Sequence, residues 1–252
     1  MAEIGDPADP GVVLAHGVGS SARFVAAACA APLRAAGYRL VTYDARGHGA
    51  STPCPAVADH DLDTHAADLA AVVAVAGPVV AVGGISLGGH AALRCGLDLP
   101  TVVCLPAWIG RATAGHGPHA LVADEVRRVG IPTIVDRLRD DPAVPRWLRE
   151  TLVTDYGRHD EASLAAALTA LDGAAGPSEG EVAALQRALA VVAWREDPGH
   201  PFAVAEHLVA LAPRASLTEL AIDDLEASLT RLGDAVVTAL GNLHLDPAPS
   251  GG

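Results

Sequence analysis

Short apolar runs alternate with helix-length segments along most of the chain. Val12-Val13-Leu14-Ala15, Leu40-Val41-Thr42-Tyr43, Pro78-Val79-Val80-Ala81-Val82, Thr101-Val102-Val103-Cys104 and Ala190-Val191-Val192-Ala193 are rich in β-branched residues, and all but the last have Gly, Pro or Asp on at least one side. Runs of that kind read as strands buried on both faces. Ser216-Leu217-Thr218-Glu219-Leu220 reads as the last strand. The pattern predicts strands near 11–16, 39–44, 78–84, 100–105, 188–194 and 215–221, with helices near 21–36, 62–76, 87–97, 201–211 and 225–240. Strands alternating with helices predict βαβ units, and so an α/β fold with a mostly parallel sheet of about six strands and helices on both faces. The first strand starts by residue 11, which leaves no room for an antiparallel pair before it.

One connection breaks the rhythm. Residues 107–187 separate two predicted strands, where a βα connection usually takes about 2–6 residues. Helical patterns recur there at 118–129, 131–140, 143–155, 160–172 and 178–189, so the segment reads as an inserted helical cap. The expected organisation is a core of 1–106 and 188–245, a cap at 107–187 and a disordered tail at 246–252. A cap above the C-terminal strand ends would cover the edge at which open α/β sheets bind ligands.

The strongest chemical signal is Gly84-Ile85-Ser86-Leu87-Gly88, a G-x-S-x-G motif with an apolar run before it and a helical pattern after it. On a sharp strand-to-helix turn the serine is held exposed and strained, and the glycines let two backbones approach. Two further segments agree with it: Ala15-His16-Gly17-Val18-Gly19 closes the first strand, and Tyr43-Asp44-Ala45-Arg46-Gly47-His48-Gly49-Ala50-Ser51 closes the second. In this order and spacing the three resemble the α/β-hydrolase family, closely over the first hundred residues and more loosely over 188–240.

That resemblance implies Ser86 as nucleophile, with the backbone N–H groups of Val18 and Leu87 as the oxyanion hole. The helix opening at Leu87 adds a favourable dipole. The triad acid of relatives follows the strand here read at 188–194, which selects Asp197 in Arg195-Glu196-Asp197-Pro198, with Glu196 as the lesser candidate. The triad histidine of relatives follows the last strand, and here the chain departs from the pattern: no histidine lies between His207 and His244, and Asp223 and Asp224 stand at that place. A serine hydroxyl needs a base to take its proton. Cap histidines His116, His119 and His159, then His200, three residues beyond Asp197, and then a carboxylate such as Asp224 are the candidates. His16 and His48 read as loop-organising residues, and His60, His65 and His207 as surface or loop positions. Trp108 and Trp147 fit either a pocket wall or core packing.

Composition narrows the classes. The formal net charge of −13 argues against nucleic acid, whose phosphates it would repel. All 17 basic residues are arginine, which excludes Schiff-base chemistry, pyridoxal phosphate attachment and a Ser-Lys dyad. No uninterrupted apolar stretch reaches the ~18 residues of a membrane span, and the acidic N-terminus does not read as a signal peptide, so a cytoplasmic protein is expected. Cys29, Cys54, Cys95 and Cys104 have no metal-ligand spacing and read as free thiols, and neither metal nor cofactor is expected. Together these readings give a serine hydrolase of esterase or lactonase type for a small apolar acyl substrate. The alternative is a non-hydrolytic ligand-binding or tailoring protein on the same scaffold.

Overall fold

The computed structural model describes residues 1–111, 118–197 and 199–243. Its centre is a seven-stranded sheet of β1 (Ala2–Ile4), β2 (Gly11–Ala15), β3 (Arg39–Thr42), β4 (Val79–Ile85), β5 (Thr101–Cys104), β6 (Leu189–Ala193) and β7 (Ala215–Glu219). The spatial order is β1-β3-β2-β4-β5-β6-β7. All pairings are parallel except β1 against β3. The seventh strand corrects the expected count: a short antiparallel edge does fit before residue 11, paired through Ala2↔Thr42 and Ile4↔Leu40. The buried Arg39 guanidinium helps to close this edge, reaching Glu3 at 2.8 Å and the Ala76 carbonyl at 2.9 Å.

Alternation along the strands feeds two cores, one on each face of the sheet. Val12, Leu14, Leu40, Ala81, Val102, Ala190 and Val192 pack with α1 (Ala22–Ala35) and α10 (Thr230–Asn242). Val13, Val41 and Val82 pack on the opposite face with α2 (Leu62–Val75) and α3 (Leu87–Arg94). Leu189, Val191 and Ala193 meet α8 (Phe202–Leu211).

Between β5 and β6 lie α4 (Pro118–Arg139), α5 (Arg146–Tyr156), α6 (Glu161–Leu171) and α7 (Glu179–Ala183). α4 is broken at Gly130, whose φ of 78° is left-handed, so the two helical patterns expected on either side of it are distinct. The pattern expected over 178–189 ends at Ala183, after a capping box between Ser178 and Glu181. The expected 225–240 helix is two helices, α9 (Asp224–Ala227) and α10, because Ser228 is extended and its hydroxyl accepts the Thr230 amide at 3.2 Å. The expected tail at 246–252 lies outside the described residues. No described helix is long and apolar enough to cross a membrane.

The strand order reverses direction between β2 and β4, and crevices at such switch points are where open α/β sheets bind ligands. The loops leaving β2, β4 and β6 open at that same edge.

Candidate active site

Ser86 is the residue between β4 and α3, and its backbone is in a left-handed conformation, φ 50° and ψ −111°. Non-glycine residues seldom hold such angles unless their surroundings impose them. The surroundings here do: the Ser86 amide donates to the Cys104 carbonyl at 2.8 Å, and its carbonyl accepts the His90 amide at 3.0 Å. The crossing is too tight for side chains. A Cβ on Gly84 would lie 2.5 Å from the Gly88 carbonyl carbon, and one on Gly88 would run into the Ala15 carbonyl. This is the geometry that the G-x-S-x-G spacing demands.

The imidazole that reaches Ser86 is that of His200. Its Nε2 lies 2.9 Å from Ser86 Oγ, and its Nδ1 lies 2.7 Å from Asp197 Oδ2. Asp197 follows β6 directly and accepts three further bonds: the Gly199 amide at 2.8 Å and the His200 amide at 3.3 Å on Oδ1, and the Trp194 indole N–H at 3.2 Å on Oδ2. Burial pulls the Asp197 carboxyl upward, but the His200 bond and charge, the Gly199 amide and the Trp194 indole outweigh it and hold the group below its ordinary value. An ionised Asp197 accepts Nδ1–H, which leaves Nε2 free to accept from the serine. Acid and imidazole therefore stand three residues apart on one loop, with the serine 114 positions away in sequence.

The other candidates stand elsewhere. His159 is committed on both nitrogens, accepting the Gly49 amide at 3.0 Å and donating to the Gly19 carbonyl at 3.0 Å, so it holds loops together. His119, in the first turn of α4, lines the Ser86 cavity but is not the ring bonded to Ser86; burial first, and the neighbouring His200 charge next, lower its pKa. Asp224 opens α9, is exposed, and is not part of the cavity wall. His116 lies outside the described residues. Glu196 is exposed at the cavity rim.

His16 and His48 support the β2 loop. His16 Nε2 accepts the Ala45 amide at 2.9 Å while Nδ1 donates to the Gly17 carbonyl at 2.7 Å. His48 accepts the Gly19 amide at 3.1 Å and donates to the Arg46 carbonyl at 2.9 Å. Burial lowers the pKa of both, which keeps them neutral and able to accept those amides. The loop bonds occupy Gly17 O, Gly19 N, Gly19 O and Ser20 N; the Val18 amide takes part in none of them. Gly17 passes so near the serine that a Cβ there would lie 3.5 Å from Ser86 Cβ. Leu87 supplies the first amide of α3, one of those for which a helix offers no internal acceptor.

His60 and His65 are buried, 1% and 3% exposed, which corrects their reading as surface positions; His207 is exposed and meets Glu179 at 2.8 Å. All four cysteines are free, Cys29 and Cys104 buried and Cys54 and Cys95 half-buried. Among the described residues no three His, Cys, Asp or Glu side chains gather as a metal site would require.

Above Ser86 is a cavity of about 520 Å³. Its walls are mostly apolar: Phe24, Ile85 and Leu105 from the core, Trp147, Leu148 and Leu152 from α5, with Trp194, Ile222 and Leu232 beyond. Trp147 meets Trp194 edge to face at 6.2 Å. Trp108 instead stacks on His90 at 4.0 Å.

A seven-stranded, mostly parallel sheet with a strained serine at a strand-to-helix turn defines a class of folds before any comparison. The family model for the alpha/beta hydrolase family matches residues 12–241, and the chain belongs to that family. Solved structures agree on the fold. A hydrolase from Pseudomonas aeruginosa PA01 superposes with a TM-score of 0.71 at 20% identity, covering 95% of this chain and 93% of that one. A bromoperoxidase from Bacillus anthracis gives 0.76 at 17% identity, with 95% and 94% covered. The enol-lactonase from Burkholderia xenovorans LB400 gives 0.70 at 21% identity, with 93% and 95% covered. No curated protein matches the chain in sequence.

Proposed function

We propose that this chain is a serine hydrolase of esterase or lactonase type, working through Ser86, His200 and Asp197. The observation that carries the reading is the unbroken hydrogen-bond chain from Ser86 Oγ to His200 Nε2 and from His200 Nδ1 to Asp197 Oδ2. The imidazole held between serine and carboxylate supplies the base that acyl transfer needs, which favours hydrolysis over non-hydrolytic binding. His200 Nε2 takes the hydroxyl proton as Ser86 Oγ bonds to the substrate carbonyl carbon. The electron pair of the C=O moves onto oxygen, where the Val18 and Leu87 amides receive it. His200 returns the proton to the leaving oxygen as the C–O bond breaks, giving an acyl-serine. Water, deprotonated by the same imidazole, then releases the acid and restores Ser86. Asp197 stays ionised throughout, orients the ring and stabilises its cation.

The helices between β5 and β6 act as the cap in this reading, because α5 forms one wall of the cavity and would keep water from the acyl group. The apolar walls favour an uncharged acyl group, and among the described residues no arginine lines the cavity to pair with an anionic one. The fold likeness to an enol-lactonase is in keeping with a lactone as well as an open ester. The test is hydrolysis of p-nitrophenyl butyrate and a small lactone by the wild type, Ser86→Ala and His200→Ala. Turnover is expected from the wild type alone, with each variant falling by several powers of ten. Turnover undiminished in Ser86→Ala overturns the assignment.

A further inference from the structure

The proposed chemistry needs the Val18 amide aimed at one point, yet Val18 sits in an irregular turn between β2 and α1. On one side His16 and His48 hold that turn. On the other side the support comes from the C-terminal end of α5, 135 residues further along the chain. Asp155 there is 1% exposed. Its Oδ1 accepts the Ser21 hydroxyl at 2.8 Å and its Oδ2 accepts the Ser20 hydroxyl at 3.2 Å. Next to it the Tyr156 ring packs so close to Gly19 that a Cβ at 19 would lie 2.9 Å from it. His159 completes the clamp through its bond to the Gly19 carbonyl.

A carboxylate buried this far is costly to hold in the fold, and packing alone would be served as well by an apolar side chain of similar size. Its two oxygens are spent on two consecutive serines of the loop that carries Val18. The same helix presents Trp147, Leu148, Thr151 and Leu152 to the cavity. One rigid element thus forms the acyl wall and braces the loop opposite Ser86.

We propose that Asp155 is a positioning residue, holding Ser20 and Ser21 so that the Val18 amide stands where the oxyanion develops. This inference rests on the hydrolase reading of Ser86 and Val18. Interactions realised only in the transition state raise kcat and leave ground-state binding alone, so the effect belongs in kcat.

The experiment compares Asp155→Leu and Asp155→Asn with the wild type in the full chain. It reads kcat and KM on p-nitrophenyl butyrate, the urea midpoint, and deuterium uptake of peptides covering 16–22 and β4. Asp155→Leu is expected to lower kcat about 10- to 100-fold, short of the roughly hundred- to thousandfold lost with an oxyanion donor, with KM changed less than about threefold. Asp155→Asn, whose amide still bonds hydroxyls, recovers most of kcat. If Asp155→Leu does not fold, the double variant Ser20→Ala, Ser21→Ala removes the same bonds from the other side and reproduces the loss. A raised KM with kcat intact, or unchanged kcat in a folded Asp155→Leu, overturns the proposal. If the wild type neither hydrolyses esters nor reacts with a fluorophosphonate, the hydrolase reading fails and exchange decides on the brace. Faster uptake confined to 16–22, with β4 unchanged, upholds it; unchanged uptake there overturns it.

Discussion

Lowering the pH from about 7.5 to about 5 is expected to remove much of the protein's stability, through histidines that the fold keeps neutral. His90 is fully buried, its ring lies on Trp108, and its Nε2 accepts the Ala107 amide at 3.3 Å. Burial, reinforced by the His200 charge, pushes its pKa down from 6.5 to about 3. His65 sits in α2 beside His60, with ring centroids 5.7 Å apart, and burial followed by the His60 charge lowers it to about 4. Between the folded and unfolded values, only the unfolded chain holds the proton. The stability is therefore fully present above pH 6.5 and drains away as the pH falls towards the folded values. Each pH unit below 6.5 costs about 1.4 kcal/mol per histidine, so at about pH 5 each costs about 2 kcal/mol. The pair alone removes about 4 kcal/mol from a typical total of about 5–15 kcal/mol. His16, His48 and His159 are lowered by burial too and act in the same direction. Asp44 and Asp197, which the fold holds low, lose their contribution only below 3.8, and Glu181, held low by its bonds to Ser178, only below 4.5, so the two windows separate. Urea unfolding of the wild type and His65→Gln across that range measures the effect. The wild type should lose at least about 4 kcal/mol, and His65→Gln about 2 kcal/mol less. A wild-type stability that is flat from about pH 7.5 to about pH 5, or a variant with the same slope, would mean that the fold does not keep these imidazoles neutral.

Two further outcomes follow from the site. Asp197→Asn keeps the size of the side chain but no longer enforces the Nδ1–H tautomer of His200; kcat on a short ester should fall about 10⁴-fold with the fold intact by circular dichroism. Gly88→Ala puts a methyl into the Ala15 carbonyl where α3 crosses β2; it should destabilise by about 1–3 kcal/mol in urea, and an unchanged midpoint would show that the crossing is looser than described.

The parallel core was legible because buried strands announce themselves as β-branched runs, and each expected strand lies within two residues of its observed ends. β1 was not: three residues of antiparallel edge, two of them exposed, carry no apolar run. Ser86 was legible because few residue patterns serve a strand-to-helix crossing that tight. His200 appeared among several imidazoles and could not be separated from them, since a histidine after the last strand was expected and that place holds Asp223 and Asp224. A signal was present nonetheless: a carboxylate and an imidazole three apart, in a Pro- and Gly-containing turn directly after a strand that ends at the serine's edge of the sheet. What no pattern shows is reach, so the cap histidines ranked ahead of His200 until the helices were placed. The brace from Asp155 to Ser20 and Ser21 is invisible for the same reason.

In this mechanism His200 activates Ser86, and fluorophosphonate labelling read by intact mass reports on that step. The wild type, Ser86→Ala and His200→Ala, each shown to be folded, are exposed to the reagent and followed in time. A single rapid adduct is expected on the wild type, none on Ser86→Ala, and labelling of His200→Ala slowed by several powers of ten. Labelling of His200→Ala at the wild-type rate would mean that the base lies elsewhere.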